Sequence, residues 1–384
     1  MGFWQDIRLG WKAYRAMKRF QALPPEARER VVYVEDSASY VYLGAILQVL
    51  NEKYQQSFCY LTSEFEDEDG KKRGGVNVHR FYIGEGWVRT LLFRTIDCKV
   101  LIMTMPDLET FHLKRSVNPV HYVYVFHSLV STHMIYRKGA FDAYDTVFCC
   151  GPHHVKEIRE TERIYELTPK KLVEQGYGRL DEMLGAKTSY HAATHPRVLI
   201  APSWGTHGIL EVHGVTLVKA LIEAGCQVWV RPHPMTRKKA PQALEALQTS
   251  FGDHPHFKIE SGITAWNSFV ESDVMISDWS GAALEYAFGL EKPVLFIDVP
   301  RKINNPEYEK ISHQPIEVSI RPEIGKLIPI SEIPQIGVHV REMIQAAEAW
   351  RERLKDLREK HVFNVGHSGQ VGAEALMGIL KNSA

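Results

Sequence analysis

Cysteine is scarce in this chain, which has five among 384 residues and no Cys-x-x-Cys pair. An odd number of cysteines without that spacing argues against a disulfide framework and against a zinc knuckle. Cys149 and Cys150 are adjacent within an apolar run and are predicted to be core residues. The cysteine usage therefore fits a reducing, cytoplasmic setting.

Long apolar runs and an excess of one charge are also missing. No run reaches the ~18 residues that a membrane-spanning helix requires, and the amino terminus has no signal-peptide core. Lysine and arginine number 46 and so do aspartate and glutamate, which makes the formal net charge zero. A chain without a basic excess is not expected to bind nucleic acid. We therefore predict a cytoplasmic protein that has no nucleic-acid partner.

The common phosphate-binding and metal-binding motifs are absent as well. The sequence contains neither G-x-x-x-x-G-K-[ST] nor G-x-G-x-x-G. Asp67-Glu68-Asp69 has the acid-x-acid spacing that can hold a divalent metal, but it lies in a loop rich in glycine and lysine. A solvated loop is the interpretation we favour. No metal site and no cofactor is predicted.

What the sequence does contain is a repeated alternation of short apolar runs and helical patterns. This alternation is typical of α/β proteins, and the length suffices for two Rossmann-like domains with doubly wound parallel sheets that face a central cleft. We predict a basic amphipathic helix at 1–25, an amino-terminal acceptor-side domain at 26–190, a linker at 186–196, and a carboxyl-terminal donor-side domain with carboxyl-terminal helices at 195–384. The predicted strands are 31–34, 58–62, 100–104, 122–126, 146–149, 198–201, 228–230, 257–260, 274–276 and 294–297.

Residues 1–23 have the pattern of an amphipathic helix. The first 20 residues carry five basic side chains against one acidic side chain. A basic amphipathic helix with tryptophan can lie on an anionic membrane surface. The alternative is a helix docked on its own domain or on a partner subunit. We favour the membrane, because Pro24-Pro25 separates the helix from the first strand. The apolar residues at three- and four-residue steps are Phe3, Ile7, Trp11, Tyr14 and Met17.

Polar clusters follow four of the predicted strands directly. Because ligands of α/β sheets bind at the carboxyl ends of the strands, we expect all four clusters on rims that face one cleft. The clusters are His127-Ser128, Ser203-Trp204, Arg231-Pro232-His233-Pro234 and the turn Ser277-Asp278-Trp279-Ser280.

The Arg231-to-Pro234 cluster suits phosphate. Its two prolines fix the backbone just after a strand, and the guanidinium fork of Arg231 matches phosphate oxygens. His233 is able to donate to a phosphoryl oxygen or to protonate a leaving group. The alternative is a strand-terminating turn with a surface histidine.

The turn at 277–280 is predicted to begin a helix. Ser277 or Asp278 caps a helix from about residue 280 to 288, and Gly289 fits the position just past its end. The amino terminus of this helix would direct free N–H groups at an anion. The alternative is an ordinary strand–helix crossover with a well-made cap.

Small residues at the start of this helix, Ser280 and Gly281, would let a phosphate approach the backbone closely. Glu285 lies further along the same helix, where its carboxylate could accept hydrogen bonds from ribose hydroxyls. An ordinary helix-surface position explains Glu285 equally well.

His127 ends an otherwise apolar strand. The pKa range of histidine suits a general base that deprotonates a hydroxyl. A core histidine that bonds a backbone carbonyl is the alternative. His133, six residues further on, could share the role of base.

Four stretches between about residues 176 and 297 resemble motifs of the CDP-glycerol glycerophosphotransferases, the teichoic-acid polymerases and primases of the GT-B superfamily. Ile276-Ser277-Asp278-Trp279-Ser280-Gly281, with Lys292-Pro293 downstream, resembles the nucleotide-side motif, in which Ser-Ser is typical where this chain has Ser280-Gly281. Arg231-Pro232-His233-Pro234 matches Arg-x-His-Pro. The other two are 198–204, which resembles a strand ending in Pro-Thr-Trp, and 176–181, which resembles Gly-Tyr-Pro-Arg-x-Asp. In the amino-terminal third, Phe126-His127-Ser128-Leu129 corresponds to Trp-His-Gly-Thr.

The resemblance implies a GT-B fold and phosphoryl transfer. A hydroxyl deprotonated by His127 would attack the β-phosphorus of a CDP-alcohol such as CDP-glycerol, and CMP would leave. Arg231, His233 and the turn at 277–280 would stabilise the diphosphate, and Ser203 and Trp204 would bind substrate. The implied partners are a cytidine nucleotide donor and a glycan or lipid-linked acceptor of the cell envelope, which suits peripheral attachment to the inner face of the membrane.

Two alternatives stay open. A GT-B glycosyltransferase that uses a CMP- or UDP-sugar for surface polysaccharide synthesis would need the same Arg/His clamp and a glutamate for ribose. A nucleotide-binding or scaffold protein without catalytic activity is the other.

Overall fold

The computed structural model describes residues 3–65, 77–111, 113–186, 195–260 and 267–382. Within these residues the chain forms one sheet of seven strands and one of six, and the predicted architecture of two doubly wound α/β domains is confirmed. The acidic run Asp67-Glu68-Asp69 and most of the predicted linker lie outside the described residues.

Both sheets are parallel in every described strand pair. The strands are β1 (Arg30–Val34), β2 (Phe58–Thr62), β3 (Val78–Tyr82), β4 (Val100–Met103), β5 (His121–Val125), β6 (Thr146–Cys149), β7 (Lys171–Glu174), β8 (Arg197–Ile200), β9 (Gln227–Val230), β10 (Phe257–Ile259), β11 (Val274–Ser277), β12 (Val294–Ile297) and β13 (Gly325–Ile328). Their order is β3-β2-β1-β4-β5-β6-β7 in the first sheet and β10-β9-β8-β11-β12-β13 in the second. The order reverses between β1 and β4 and between β8 and β11, which are the switch points where such sheets bind ligands.

Helices cover the faces of both sheets. The α-helices are α1 (Phe3–Gln21), α2 (Gly44–Glu52), α3 (Trp87–Thr95), α4 (Pro152–Ile164), α5 (Gly178–Leu184), α6 (Ile209–Glu223), α7 (Pro234–Lys239), α8 (Pro241–Phe251), α9 (Asn267–Glu271), α10 (Gly281–Leu290), α11 (Ile316–Ser319), α12 (Arg321–Ile324), α13 (Ile336–Gln345), α14 (Ala347–His361) and α15 (Ser368–Asn382). Short 3-10 helices lie at Pro25–Arg28, Ser37–Tyr42, Tyr308–Lys310 and Ile330–Gln335.

Three strands that the sequence pattern did not predict, β3, β7 and β13, all lie at sheet edges. No residue of β7 is fully buried, and only one residue of β3 is. Edge strands carry polar side chains on their open side, so no apolar run marks them. The central strands β4, β6, β11 and β12 are buried at every position, which produces the continuous apolar runs that predicted them.

The amino-terminal helix α1 packs on its own domain along one face. Ala13, Ala16, Met17 and Phe20 are buried in the same apolar cluster as strands of the first sheet. The opposite face leaves Trp11 exposed to 62%. The predicted apolar stripe is therefore divided. Met17 packs on the helix's own domain, as the docked-helix alternative expects, whereas Trp11 faces solvent. No helix in the described part of the chain combines the length and apolarity needed to cross a bilayer.

The last helix, α15, packs on the amino-terminal domain. Ala373, Leu376 and Ile379 are buried in one cluster with Val32 and Ile46 of that domain. The predicted assignment of 195–384 to a single domain is therefore wrong for this helix. Sequence pattern shows that a helix has an apolar face but not which domain covers that face.

Helix α10 begins and ends differently from the prediction. Ser280 is its N-cap, with a side chain that accepts a hydrogen bond from Ala282 N–H, rather than Ser277 or Asp278. Gly289 lies inside the helix, which ends at Leu290. A Cβ on Gly289 would lie 2.8 Å from Met183 side-chain atoms, so this glycine allows α10 to pack closely on α5.

Candidate active site

A cleft of about 530 Å³ lies between the two domains at the carboxyl ends of their strands. Residues that follow β1, β4 and β5 form one wall, and residues that follow β8, β9 and β11 form much of the other. The cleft therefore lies at both switch points. Eight of the ten predicted site residues line it: His127, Ser203, Trp204, Arg231, His233, Ser280, Gly281 and Glu285.

His127 follows β5 on the amino-terminal wall. Its Nδ1 lies 2.9 Å from the backbone oxygen of Thr104 and 3.1 Å from the Tyr124 hydroxyl. Because a carbonyl oxygen can only accept, Nδ1 carries the ring hydrogen and Nε2 of the neutral ring keeps its lone pair. The Tyr136 hydroxyl lies 3.5 Å from Nε2. The imidazole is therefore oriented with its basic nitrogen on the side of Tyr136, which also lines the cleft.

Burial lowers the pKa of His127, although the Thr104 carbonyl and the carboxylates of Glu285 and Asp36 act in the opposite direction. The ring is therefore neutral near pH 7. A neutral imidazole with one unprotonated nitrogen is the state that a general base requires.

His133, the alternative base, does not line the cleft. It is 4% exposed, with Nδ1 3.3 Å from a carboxylate oxygen of Glu157 and Nε2 3.0 Å from the backbone oxygen of His313. The loop after β5 turns away from the cleft and docks on the other domain, which carries His133 away from His127.

Arg179 is a cleft residue to which the sequence assigned no role, although it lies in one of the four family-like stretches. Its Nε donates to Glu285 Oε2 at 2.8 Å, and both side chains are almost fully buried. Tyr177 donates its hydroxyl proton to Glu285 Oε1 at 2.6 Å. Both oxygens of Glu285 thus have protein partners. This carboxylate holds Arg179 and also lines the cleft, and an ionised carboxylate can accept further hydrogen bonds, so its predicted contact with ribose stays a prediction.

Arg231 lies at the end of β9 on the carboxyl-terminal wall. Its side chain is 9% exposed, its guanidinium stacks over the Phe269 ring at 4.7 Å, and its NH1 lies 3.9 Å from Glu260 Oε2. Burial lowers the pKa of Arg231, with the Glu260 carboxylate acting in the opposite direction. A guanidinium remains charged in proteins, so it supplies a fixed positive charge to the cleft.

His233 has its tautomer fixed by the backbone. Its Nδ1 accepts a hydrogen bond from Met235 N–H at 3.1 Å, so Nε2 carries the ring hydrogen. Burial, aided by the nearby Lys302 ammonium, lowers the pKa of His233 to about 4. The ring is therefore a neutral hydrogen-bond donor at pH 7.

Trp204 and Lys302 stand beside His233. The Lys302 ammonium lies 4.4 Å from the centre of a Trp204 ring, and the Trp204 and His233 rings are 6.1 Å apart. Burial lowers the pKa of Lys302 to about 8, while the Asp278 and Glu211 carboxylates oppose that shift. Lys302 comes from a loop after β12, and the sequence offered no apolar run or motif to single it out.

Two predicted substrate-binding residues, Ser277 and Asp278, do not line the cleft. Ser277 is buried and donates its hydroxyl proton to the Ala201 oxygen at 2.8 Å. Asp278 Oδ1 accepts from the backbone N–H groups of Ser203 and Trp279 at 2.7 and 2.6 Å. Both predictions of direct substrate contact are therefore corrected: these side chains fix the loops that carry Ser203 and α10.

The charge on the two walls is asymmetric. Apart from Arg179 and Glu285, which pair with each other across the walls, the carboxyl-terminal wall carries Arg231 and Lys302, whereas the amino-terminal wall carries Glu35 and Asp36 just after β1. Phosphate oxygens are therefore favoured on one side, and hydroxyl groups can donate to carboxylates on the other. Among the described residues, no group of three or more acidic, histidine or cysteine side chains is arranged to hold a metal ion.

Tyr42 lies between His127 and Arg179. Its ring lies 6.0 Å from the His127 ring and 5.7 Å from the Arg179 guanidinium carbon, and it stacks on Tyr177 at 6.0 Å. Burial raises the pKa of Tyr42 to about 12, so the hydroxyl stays protonated. Tyr42 lies in a 3-10 helix after β1, and its periodicity gave no signal of a cleft position.

Neither a protein-family model nor a curated protein matches this chain. Solved structures do share its fold. MnaA of S. aureus with UDP has a TM-score of 0.60 at 12% identity, covering 92% of this chain and 97% of that chain. UDP-GlcNAc 2-epimerase from Neisseria meningitidis bound to UDP-GlcNAc has a TM-score of 0.59 at 13% identity, covering 91% of this chain and 99% of that chain. Anabaena HepE in complex with UDP and glucose has a TM-score of 0.53 at 12% identity, covering 91% of this chain and 100% of that chain.

These likenesses show the fold. The chain has the two-domain GT-B architecture, so this part of the prediction is confirmed. Membership of the CDP-glycerol glycerophosphotransferases is a finer statement that the comparisons do not reach, and it stays a prediction.

Proposed function

We propose that this chain is a GT-B transferase. It binds the diphosphate of a nucleotide-activated donor on its basic carboxyl-terminal wall and passes the activated group to an acceptor hydroxyl. One relationship carries the proposal: the neutral ring of His127, with its lone pair on Nε2, lines the same cleft as Arg231 and His233. A base on one wall and phosphate-binding groups on the other are the two components that such a transfer needs.

A nucleotide sugar is the donor that we put first, because solved structures with this fold include complexes with UDP and with UDP-GlcNAc. The acceptor O–H bond breaks as its proton passes to His127 Nε2, and the oxygen bonds to the anomeric carbon of the sugar. The bond between that carbon and the β-phosphate oxygen breaks. The nucleoside diphosphate leaves with the electron pair and is stabilised by Arg231 and the Nε2–H of His233.

A CDP-alcohol such as CDP-glycerol is the second candidate, favoured by the four family-like stretches between about residues 176 and 297. The same deprotonated hydroxyl would attack the β-phosphorus. The bond from that phosphorus to the bridging oxygen of the α-phosphate would break, CMP would leave, and a glycerol-phosphate or related polyol-phosphate unit would be transferred. The acceptor in either case would be a cell-envelope glycan or a lipid-linked precursor.

Calorimetric titration of the full chain separates the donors. CDP-glycerol, CMP, UDP and UDP-sugars are titrated in turn, and bound donors are then tested for release of CMP or UDP with a polyol or glycan acceptor. Binding of uridine but not cytidine nucleotides supports the sugar donor and rejects the CDP-alcohol. The reverse result rejects the sugar donor. Binding of neither class removes the proposed function.

A lipid-linked acceptor requires a membrane-facing surface, and α1 and α3 together offer one. Their exposed apolar patch consists of Ile7, Trp11, Trp87 and Leu91, which are 40%, 62%, 60% and 41% exposed. Tyr14 bridges the two helices, with rings 6.1 Å from Trp11 and 5.9 Å from Trp87. Arg8, Arg15, Lys18 and Arg19 of α1 are also exposed, so an anionic bilayer surface would complement this helix in both polarity and charge.

Vesicle co-sedimentation tests this surface. We expect the wild type to pellet with vesicles that contain phosphatidylglycerol and to stay in solution with pure phosphatidylcholine. The double variant Trp11→Ala/Trp87→Ala should lose most of the pelleted fraction. Phe111→Ala, an exposed aromatic residue elsewhere on the domain, is the matched control. Equal recovery of the double variant and the control would reject membrane attachment through α1 and α3 without affecting the transferase proposal.

A further inference from the structure

Ser128 of the amino-terminal domain lies directly against the first turn of α10 in the carboxyl-terminal domain. A Cβ atom on Gly281 would lie only 2.3 Å from Ser128 Oγ and 3.4 Å from a Val130 methyl carbon. The first distance is far inside the contact distance of a carbon and an oxygen. Glycine at position 281 therefore allows a close approach between the two walls of the cleft.

The Ser128 hydroxyl still has a proton to donate. The N–H of Val130 approaches its oxygen at 3.5 Å, which is at most a weak bond. Among the described residues, the hydroxyl of Ser128 donates no hydrogen bond, and the approach of Val130 N–H is its one recorded polar contact. Ser128, Ser280 and Gly281 all line the cleft. A ligand group at the amino end of α10 would thus meet one hydroxyl from each domain.

Buried hydrogen bonds hold the loop that carries Ser128 on the opposite domain. Ser131 donates its backbone N–H and its hydroxyl proton to the Glu317 carboxylate at 2.8 and 2.6 Å. Asn305 Nδ2 donates to the His133 backbone oxygen at 2.9 Å. The position of Ser128 relative to α10 is therefore determined by interdomain contacts. The same loop begins at His127, so the candidate base and Ser128 are neighbours in one segment that these contacts hold.

We propose that Ser128 is a donor-binding residue, which rests on the proposed function. Its hydroxyl donates a hydrogen bond to a phosphate oxygen of a nucleoside diphosphate whose other contacts come from Ser280 and Arg231. A donor bound in this way is held by both domains, with its phosphate beside the residue that follows the candidate base. Positions 128 and 281 are also where this chain departs from the motifs that it resembles, with serine and glycine exchanged across the cleft.

An exchange of the two residues tests the proposal. UDP and CDP are titrated into the wild type, Ser128→Ala, Gly281→Ala, Ser128→Gly, Ser128→Gly/Gly281→Ala and Ser128→Gly/Gly281→Ser, with uridine and cytidine as phosphate-free controls. Thermal unfolding of each variant checks folding. Loss of one hydrogen bond to a charged group should weaken diphosphate binding about tenfold in Ser128→Ala. Binding of the nucleosides should not change.

The double variants separate the hydroxyl from the space that it occupies. Gly281→Ala should bind diphosphate weakly because its methyl group collides with Ser128. Ser128→Gly/Gly281→Ala has no collision but still lacks the hydroxyl, so its affinity for diphosphate should match that of Ser128→Gly. Ser128→Gly/Gly281→Ser returns a hydroxyl to the same place from the other domain and should recover most of the wild-type affinity.

Three outcomes overturn the inference, and they are distinguishable. If the wild type binds a nucleoside diphosphate and Ser128→Ala binds it equally tightly, Ser128 is not a ligand residue and the proposed function stands. If the wild type binds none of these nucleotides, the proposed function is wrong and the inference falls with it. An equal loss for diphosphate and nucleoside would make Ser128 a packing residue only.

Discussion

Arg179 Nε donates to Glu285 Oε2 across 2.8 Å, and this ion pair joins α5 of the amino-terminal domain to α10 of the carboxyl-terminal domain. The two side chains are 8% and 7% exposed. The pair therefore does two things at once: it closes one side of the domain interface and it fixes the direction of a guanidinium at the edge of the cleft.

Removal of the carboxylate should be costly. Glu285→Ala leaves the Arg179 charge buried, and we expect the free energy of unfolding to fall by about 3 kcal/mol. The free energy of unfolding is measured by urea denaturation, with tryptophan fluorescence as the signal. Glu223→Ala breaks the exposed Lys219–Glu223 pair, 3.9 Å long, and should change stability by less than about 0.5 kcal/mol. Similar small effects of both variants would contradict the structural role given to Glu285.

Loss of the candidate base should reduce turnover and leave binding intact. We expect His127→Ala to lower kcat by a factor on the order of 10²–10⁴, with donor affinity within about threefold of wild type. His207→Ala, an exposed histidine outside the cleft, is the control. An unchanged kcat would remove His127 from the mechanism but leave the fold and the donor site as they are.

The acid limb of the pH profile should reflect the lowered pKa of His127. Because burial lowers this pKa below 6.5, the neutral base persists at mildly acidic pH. We expect the midpoint of the acid limb of kcat/KM to lie below 6.5, the ordinary pKa of histidine. A midpoint above 6.5 would show that another group, or a histidine with a raised pKa, limits the rate.

The alkaline limb should belong to Lys302, whose pKa burial lowers to about 8. Above that pH the ammonium loses the charge that favours donor phosphates, so donor KM should rise. Lys302→Arg keeps the charge at high pH, because arginine does not deprotonate in this range. We expect the variant to retain its pH 7 donor KM at pH 9. If Lys302→Arg shows the same alkaline limb as the wild type, a group other than Lys302 is responsible for that limb.

Glu317 should make stability depend on pH. It is 1% exposed, and burial raises its pKa to about 7, with the Glu157 charge adding to the rise and the Ser131 hydrogen bonds opposing it. A raised carboxyl pKa means that the folded protein binds more protons than the unfolded chain between about pH 4.5 and 7. Stability from this group is therefore present below that window and is lost as the pH rises through it.

The comparison variant is Glu317→Gln, which cannot ionise. We expect the wild type to lose stability relative to this variant as the pH is raised from 5 to 8, measured as the difference between their urea midpoints. Parallel midpoints over the whole range would mean that Glu317 titrates normally in the folded protein.

Sequence pattern predicted the central strands because they are buried on both faces. Strands such as β4 and β11 have no polar position to hide the signal, whereas the edge strands β3, β7 and β13 carry polar residues and were missed. The carboxyl ends of the central strands then predicted where the cleft would lie. Eight of the ten candidate residues do line it.

The errors within the site arise from side-chain direction. Ser277 and Asp278 follow β11 as expected, but their oxygens bond Ala201, Ser203 and Trp279 and hold loops in place. Which way a polar side chain turns at the end of a strand depends on the neighbouring strand, and the sequence of one strand does not contain it. Arg179 was missed for a related reason, since its partner Glu285 is more than a hundred residues away in sequence.

Interactions between the domains were the hardest to predict. The contact of Ser128 with Gly281 and the bonds of Ser131 to Glu317 depend on how two separately folded sheets are set against each other. Each residue looks ordinary in its own segment. Only the three-dimensional arrangement shows that the serine and the glycine fill one space.

Helix α15 has a consequence for how the protein is made. Val32 and Ile46 are synthesised early, but the apolar cluster that buries them also contains Leu376 and Ile379. While the ribosome is still translating the second sheet, the first sheet has an uncovered apolar face. The amino-terminal domain is thus the first to be synthesised and the last to complete its core.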